Sequence, residues 1–425
     1  MGRSKTSMNP IQTPRGVTRR WLLQGAGGLV ASSAWAASSK PGESAEATND
    51  AVLYGQRTLP AGIRSRRVDN NNGATLHILE AGFESPDRRC VVLLHGFPEL
   101  AYSWRQQLLP LARAGLHVIA PDLRGYGQSA PAPVAFQDDL APYSMLNRVS
   151  DVLGLVRALG YEKVASVIGH DWGAPTAQWC ARLRPDVFQS VVSLSTPFVG
   201  TASFPLNTAG KSKTKDSVLD IDKELAALPR PRKHYASYSA SEGANADMWH
   251  APQGVPDLLR AMYHFKSADW QGNKPHPLES WSAAELARMP EYYIMDLDKG
   301  IAETVAAAMP SSAEIASCRW MTEADLTVYS TEFIRTGFQG GLNYYRAGSG
   351  LDLKAFAGRT IDVPACYIGG GREWAVYQSP GAFQGMNKVC TQLRGVHLVP
   401  NAGHSLAEEQ PKAVNRLLLE FLGKI

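Results

Sequence analysis

Cysteine is scarce in this sequence, and the five present, Cys90, Cys180, Cys318, Cys366 and Cys390, stand far apart with no C-x-x-C pair and no Cys/His cluster at metal-ligand spacing. That pattern offers neither a zinc site nor a dense disulfide framework, and an odd count leaves at least one thiol unpaired. We expect mostly buried free thiols, no metal and no cofactor. A membrane-spanning run is also missing: the weakly apolar stretch from Trp21 to Ala36 is diluted by Gly and Ser and is shorter than the roughly 20 apolar residues a span requires. This argues against a stable membrane anchor. Acidic residues are absent before Glu43, whereas Arg3, Lys5, Arg15, Arg19 and Arg20 are there. Without those five cations, the 43 Lys and Arg fall to 38 against 39 Asp and Glu. A chain so close to neutral lacks the basic field of a nucleic-acid binder.

The cation-rich start is expected to be an address and not part of the fold. Thr18-Arg19-Arg20-Trp21-Leu22-Leu23 resembles a twin-arginine export signal, with paired arginines before a mildly hydrophobic, Gly-rich segment. Ala34-Trp35-Ala36 supplies the small residues of a cleavage site. We therefore expect a signal peptide over 1–36, cleavage after Ala36 and a bacterial periplasmic or secreted destination. Residues 37–52, rich in Ser, Gly, Glu and Ala, are expected to form a flexible linker.

From there the pattern alternates. Ile63 to Asp69 and Thr75 to Glu80 flank Asn70-Asn71-Asn72-Gly73, a hairpin signal. Cys90–Leu94, His117–Ala120, Val164–Ile168 and Val191–Leu194 are short apolar runs, separated by helical stretches at Tyr102–Ala114, Met145–Leu159 and Ala174–Leu183. Such alternation predicts a mostly parallel sheet covered on both faces. It stops after Phe198 and resumes with Val363–Ile368, a helix near Gln384–Cys390, Val396–Val399 and a closing helix from Lys412 to Leu422. An α/β core over 53–198 and 354–425 is thus interrupted by 199–353. This insertion is rich in Trp, Tyr, Met and His and is expected to be a mainly helical lid over the C-terminal edge of the sheet, where open α/β sheets place their sites.

The chemistry sits at the strand ends. Gly169-His170-Asp171-Trp172-Gly173 lies between a strand and a helix and has the glycine spacing of a nucleophile elbow. Here the elbow presents a carboxylate. Asp171 is a poor nucleophile toward an amide, yet it can open a strained ring or displace a halide, leaving an alkyl ester on the enzyme. Water must then release that ester, which needs a general base. His404 follows the last strand and comes after Asp171 in chain order, as the base of a hydrolase triad does. Glu373, in Gly369-Gly370-Gly371-Arg372-Glu373-Trp374, is the acid after the preceding strand and the candidate to orient His404. The turn His95-Gly96-Phe97-Pro98 brings the Phe97 N–H, with that of Trp172, to an oxyanion hole.

These segments resemble the epoxide hydrolase family of the α/β-hydrolase fold, with the resemblance running from about Thr58 to the C-terminus. HGFPELAYSWRQQ from His95, APDLRGYGQS from Ala120, GHDWGA from Gly169 and NAGHSLAEEQP from Asn401 stand in the family's order. The resemblance implies that lid tyrosines donate hydrogen bonds to the epoxide oxygen. Tyr345, in Gly341-Leu342-Asn343-Tyr344-Tyr345-Arg346, matches one such position. Tyr263 is the expected partner, although Ala261-Met262-Tyr263-His264-Phe265-Lys266 departs from the usual pattern and Tyr235 and Tyr238 remain alternatives. Glu373 stands where the family usually has Asp. The implied partners are a small-molecule epoxide and water.

Two rival readings share these residues. A haloalkane or haloacid dehalogenase uses the same Asp and His, and Trp172 suits a halide. However, Phe97 stands where haloalkane enzymes tend to carry a polar donor, and no Arg follows Asp171 to hold a haloacid. A catalytically silent binding protein would be expected to lack the nucleophile, base or oxyanion turn, and all three are present.

Overall fold

The computed structural model describes residue 54 and residues 58–85, 87–202, 217–347 and 351–425; the expected signal peptide and linker lie outside the described residues. Its centre is an eight-stranded sheet in the order β1-β2-β4-β3-β5-β6-β9-β10. β1 (Ile63–Asp69) and β2 (Thr75–Ala81) form an antiparallel hairpin. Asn71 and Gly73 make its turn at φ 53° and 70°, the left-handed backbone that Asn and Gly tolerate best. β2 pairs antiparallel with β4 (Leu116–Pro121). From there β3 (Arg89–Leu94), β5 (Ser166–His170), β6 (Val191–Leu194), β9 (Ala365–Gly370) and β10 (Leu393–Val399) all run parallel. β5 and β6 are buried along their whole length, as strands covered on both faces must be.

α1 (Arg105–Arg113), α2 (Met145–Ala158) and α3 (Gly173–Leu183) connect these strands. The Ser144 side chain accepts from the Asn147 N–H to start α2, one of the donors a helix start leaves unpaired. The expected elements therefore form, but two strands are shifted. β5 begins at Ser166, with Val164 making only an isolated bridge to Phe188, and runs on to His170. β9 begins at Ala365 and runs through Gly369 and Gly370, which pair with Leu398 and Val399. The parallel neighbours decide these ends, where sequence reading ended each strand with its apolar run. The consequence is functional, because both shifts carry a strand up to the loop that bears a site residue.

Between β6 and β9 the described chain is mostly helical, including Gly254–Lys266, Glu323–Thr336 and Gln339–Ala347. It also contains a short antiparallel pair, β7 (Arg232–His234) with β8 (Ile294–Asp296), which periodicity did not show because each strand has three residues. The five cysteines are free thiols, four of them buried.

Candidate active site

The turn from β5 to α3 is tight enough to dictate its own composition. A Cβ on Gly169 would lie 2.2 Å from the Gly173 carbonyl oxygen, and one on Gly173 would lie 2.2 Å from that of Leu94; no side chain fits at either position. Between them Asp171 holds φ 48°, a left-handed conformation sparsely populated by residues other than Gly, Asn and Asp. The turn thus lifts the Asp171 carboxylate off the end of the sheet.

Two elements receive that carboxylate. The Phe97 N–H donates to Asp171 Oδ1 at 2.8 Å, and His404 Nε2 stands 3.4 Å from Oδ2. One oxygen is held in a backbone donor while the other faces the imidazole. Burial opposes the charge on Asp171, but the hydrogen bond and charge of His404, aided by Lys266 and His170, outweigh it and hold the carboxyl well below its ordinary range. It is ionised, as a nucleophile must be. The Trp172 side chain donates to the Tyr345 phenol, and its ring lies edge-on to that of Tyr345 at 4.9 Å.

On the far side of the imidazole, His404 Nδ1 meets Glu373 Oε1 at 2.6 Å. Glu373 is fully buried, and its Oε2 accepts from the Gly370 N–H at 3.2 Å. Ser195 Oγ donates to Oε1 and lies 3.2 Å from His404 Nδ1. The sequence-expected Asp171, His404 and Glu373 are therefore brought together, and the longer glutamate side chain is held by two further donors. Ser195 was missed. It follows β6 at φ 70°, pinned by its N–H to the Ile368 carbonyl and by Tyr367, whose hydroxyl donates to the Ser195 carbonyl at 2.7 Å. Its place after the neighbouring strand was the available signal.

A second buried network supports the first. His170 donates from Nε2 to the His404 carbonyl at 2.7 Å and pairs through Nδ1 with Glu99 Oε2 at 3.0 Å. A carbonyl and a carboxylate both accept, so both ring nitrogens carry protons. Burial pulls the His170 pKa down, yet Glu99, Asp171 and Glu373 raise it to about 9. Burial likewise opposes ionisation of Glu99, and His170, His404 and the Gly96 N–H lower it to about 2. Glu99 also accepts from Gly96 at 3.0 Å, so one carboxylate links the Phe97 turn to the loop that carries His404.

Tyr345, on the helix Gln339–Ala347, packs against Trp172, Phe97 at 5.6 Å and Tyr235 at 6.0 Å, and the charge of Asp171 acts on its phenol. The structure does not bring Tyr263 to it. The Tyr263 hydroxyl donates to the Pro98 carbonyl at 2.6 Å and its ring packs on Tyr329, because its helix faces the back of the Phe97 turn. Tyr238 is likewise committed, donating to Asp247. The rings gathered near Tyr345 are Tyr235, Tyr292 and Tyr293, each within 6.0 Å of the next. Burial first, and the negative charge of Asp171 among the further causes, pushes the phenols of all four tyrosines up, so they remain donors. Tyr292 and Tyr293 had no sequence signal beyond being aromatic. Among the described residues no group of three His, Cys, Asp or Glu is disposed to hold a metal ion.

Comparison with known proteins agrees with this geometry. Residues 89–411 match the family described as alpha/beta hydrolase fold. The chain is 33% identical to epoxide hydrolase B of Mycobacterium tuberculosis over 367 residues, covering 84% of this chain and 98% of the relative. Among solved structures it is similar to an epoxide hydrolase from an endophytic Streptomyces, with 32% identity, 86% and 96% coverage and a TM-score of 0.68. It is also similar to epoxide hydrolase I of potato, Solanum tuberosum, with 28% identity, 85% and 100% coverage and a TM-score of 0.64. The protein therefore belongs to the epoxide hydrolases of the α/β-hydrolase fold.

Proposed function

We propose that this protein is a hydrolase acting on ether bonds that opens an epoxide to a vicinal diol through an ester on Asp171. The observation that carries the reading is the division of labour at Asp171, with Oδ1 held by the Phe97 N–H and Oδ2 facing His404. Oδ2 attacks a ring carbon. The C–O bond breaks, its electron pair stays on the ring oxygen, and a phenol O–H protonates that oxygen as general acid. Tyr345 supplies one O–H, and the second comes from the Tyr235, Tyr292 and Tyr293 group in place of Tyr263. His404 Nε2 then takes a proton from water, and the hydroxide adds to the ester carbon, Cγ of Asp171. The oxyanion forms on the oxygen that faces the Phe97 N–H, with the Trp172 N–H as its expected second donor. Collapse breaks the bond from Cγ to the diol oxygen, which takes a proton from His404; the proton left on the new carboxyl returns to the tyrosinate, restoring both the Asp171 carboxylate and the phenol. Glu373 holds the imidazole tautomer and stabilises the imidazolium.

The segment between β6 and β9 acts as the lid, a reading supported by its contribution of all four tyrosines, which pack together and whose phenols the Asp171 charge acts on. Arg19-Arg20 ahead of the Gly-rich apolar stretch supports export by the twin-arginine route. Changing both arginines to Lys is expected to keep the precursor in the cytoplasm, and unaltered periplasmic accumulation would refute that route. The chemistry is tested by mass spectrometry of His404→Gln mixed with styrene oxide. A covalent adduct on Asp171 is expected, and its absence while the wild type turns over the same epoxide would rule out the ester.

A further inference from the structure

A second serine, histidine and aspartate stand in line at the β1 edge of the sheet, and the epoxide chemistry uses none of them. His77 Nδ1 meets Asp122 Oδ2 at 2.7 Å, and His77 Nε2 meets Ser65 Oγ at 2.8 Å. Burial opposes the charge on Asp122, yet His77, His95 and the Ala101 N–H hold its carboxyl below the ordinary range. A carboxylate accepts only, so in the neutral ring Nδ1 carries the proton and Nε2 takes the hydrogen bond from the Ser65 hydroxyl. Asp122 is itself fixed: Oδ1 accepts from the Tyr54 hydroxyl at 2.9 Å and the Ala101 N–H at 2.8 Å, and Oδ2 from the Gln128 N–H at 3.0 Å. Nucleophile, base and orienting acid are thus in order, and such a triad is defined by geometry and roles, not by place in the chain.

The serine is reachable from outside. His77 and Asp122 are buried, whereas Ser65 is only half-buried and lies on the outermost strand. Residues two apart on a strand share a face, so Arg67 lies beside Ser65, and the β1–β2 register sets it opposite His77. Arg67 is exposed, and among the described residues it makes no hydrogen bond or ion pair. With Thr75, Ser129 and Val134 it lines a cavity of about 460 Å³. Ser129 Oγ also accepts from the His77 N–H at 2.8 Å, so this cavity borders the strand that carries the base.

We propose that Ser65, His77 and Asp122 form a second hydrolytic site that acts on activated carboxylic esters and shares no residue with the Asp171 site. Ser65 Oγ attacks the ester carbon while His77 Nε2 takes its proton, and the Arg67 guanidinium meets the tetrahedral oxyanion. The bond to the alcohol oxygen breaks, that oxygen takes the proton from His77, and an acyl group stays on Ser65. Water then attacks the acyl carbon with His77 as base, and collapse returns the proton to Ser65 Oγ and releases the acid. Asp122 holds the tautomer throughout, and the ester body lies in the cavity beside Arg67. The competing account is that Ser65 only satisfies a ring nitrogen of a histidine that braces the loop after β4.

Diisopropyl fluorophosphate reads the nucleophile directly, because Ser65 Oγ bonds to phosphorus as fluoride leaves with the proton that His77 has taken. Modification of each serine is followed by mass spectrometry. Ser65 is expected to react about 100-fold faster or more than Ser312, an exposed serine without a histidine partner among the described residues, in line with general-base assistance. His77→Gln is expected to bring the two rates together, with thermal unfolding as the control for its fold. Equal rates at Ser65 and Ser312 in the wild type, or an undiminished Ser65 rate in folded His77→Gln, would overturn the proposal. Should His77→Gln fail to fold, the wild type decides with 4-nitrophenyl acetate: acetyl-Ser65 is expected to form and then decay, and its absence or its persistence overturns the proposal. Ser65→Ala is expected to lose both labels and to open styrene oxide at the wild-type rate; a matching loss of epoxide turnover would overturn the claim of a second site.

Discussion

The two walls of the site are built on different principles. The sheet wall sets one functional group after each of five of its eight strands: Phe97 after β3, Asp171 after β5, Ser195 after β6, Glu373 after β9 and His404 after β10. Each is fixed by backbone bonds or by a buried charge, so the wall is rigid before substrate arrives. The insertion wall assembles phenols from separate pieces, Tyr235 beside β7, Tyr292 and Tyr293 just before β8, and Tyr345 on a helix about fifty residues further on. These pack edge to face, except for the tilted Tyr235–Tyr292 pair, and carry no charge. On the proposed mechanism the difference separates roles: the sheet wall would make and break the ester, and the insertion wall would activate and select what reaches it.

The largest expected effect falls on the sheet wall. Asp171→Ala should abolish alkylation, lowering turnover by about four orders of magnitude or more, as loss of a nucleophile does. Stability should change little, because the elbow depends on its glycines. Rapid-quench measurement of ester formation checks this, and near-normal turnover would remove the sheet wall from the chemistry. Tyr345→Phe comes next. It keeps the ring against Trp172 and Phe97 but removes the donor, so epoxide alkylation should slow by about 100-fold while substrate binding changes little. If the variant instead opened epoxides at the wild-type rate, or if the wild type turned over haloalkanes faster than any epoxide, the role of the insertion wall would have to be withdrawn.

How far each wall could be read in advance follows from the same contrast. Asp171, His404 and Glu373 were visible because a doubly wound sheet orders its loops by chain sequence, and glycines mark where backbones nearly touch. Phe97 was visible for the same reason. Ser195 was hidden because a serine after a strand has many uses, and only its contact with Glu373 shows this one. Tyr263 looked right by motif and was misplaced, because its hydroxyl is taken by the Pro98 carbonyl and its ring by Tyr329. The short β7–β8 pair that brings Tyr235 beside Tyr293 has too few residues to show a period, so the cluster depends on tertiary packing alone.

Two smaller effects sharpen the contrast. The sheet wall contains a buried imidazolium, so its stability should depend on pH. The folded pKa of His170 lies above the ordinary value of 6.5, at about 9. Its contribution is therefore complete below about pH 6.5 and is lost as pH rises through about 9. Thermal unfolding across that interval should show the wild type losing up to about 3 kcal/mol relative to His170→Gln; parallel curves would mean that His170 is neutral in the folded protein. Tyr263→Phe should be the mildest change. It removes one bond to the Pro98 carbonyl, costing about 1 kcal/mol of stability, and leaves alkylation within about twofold. A loss as large as that of Tyr345→Phe would return Tyr263 to the site.

The central claim, that Asp171 itself carries the substrate, is tested most directly by a single turnover in water labelled with oxygen-18, with enzyme in excess over epoxide. Because hydroxide adds to Cγ of Asp171, the account predicts an unlabelled diol and a peptide containing Asp171 that is heavier by one oxygen-18 exchange. A labelled diol with an unlabelled Asp171 would mean that water attacks the epoxide directly, and would contradict the mechanism.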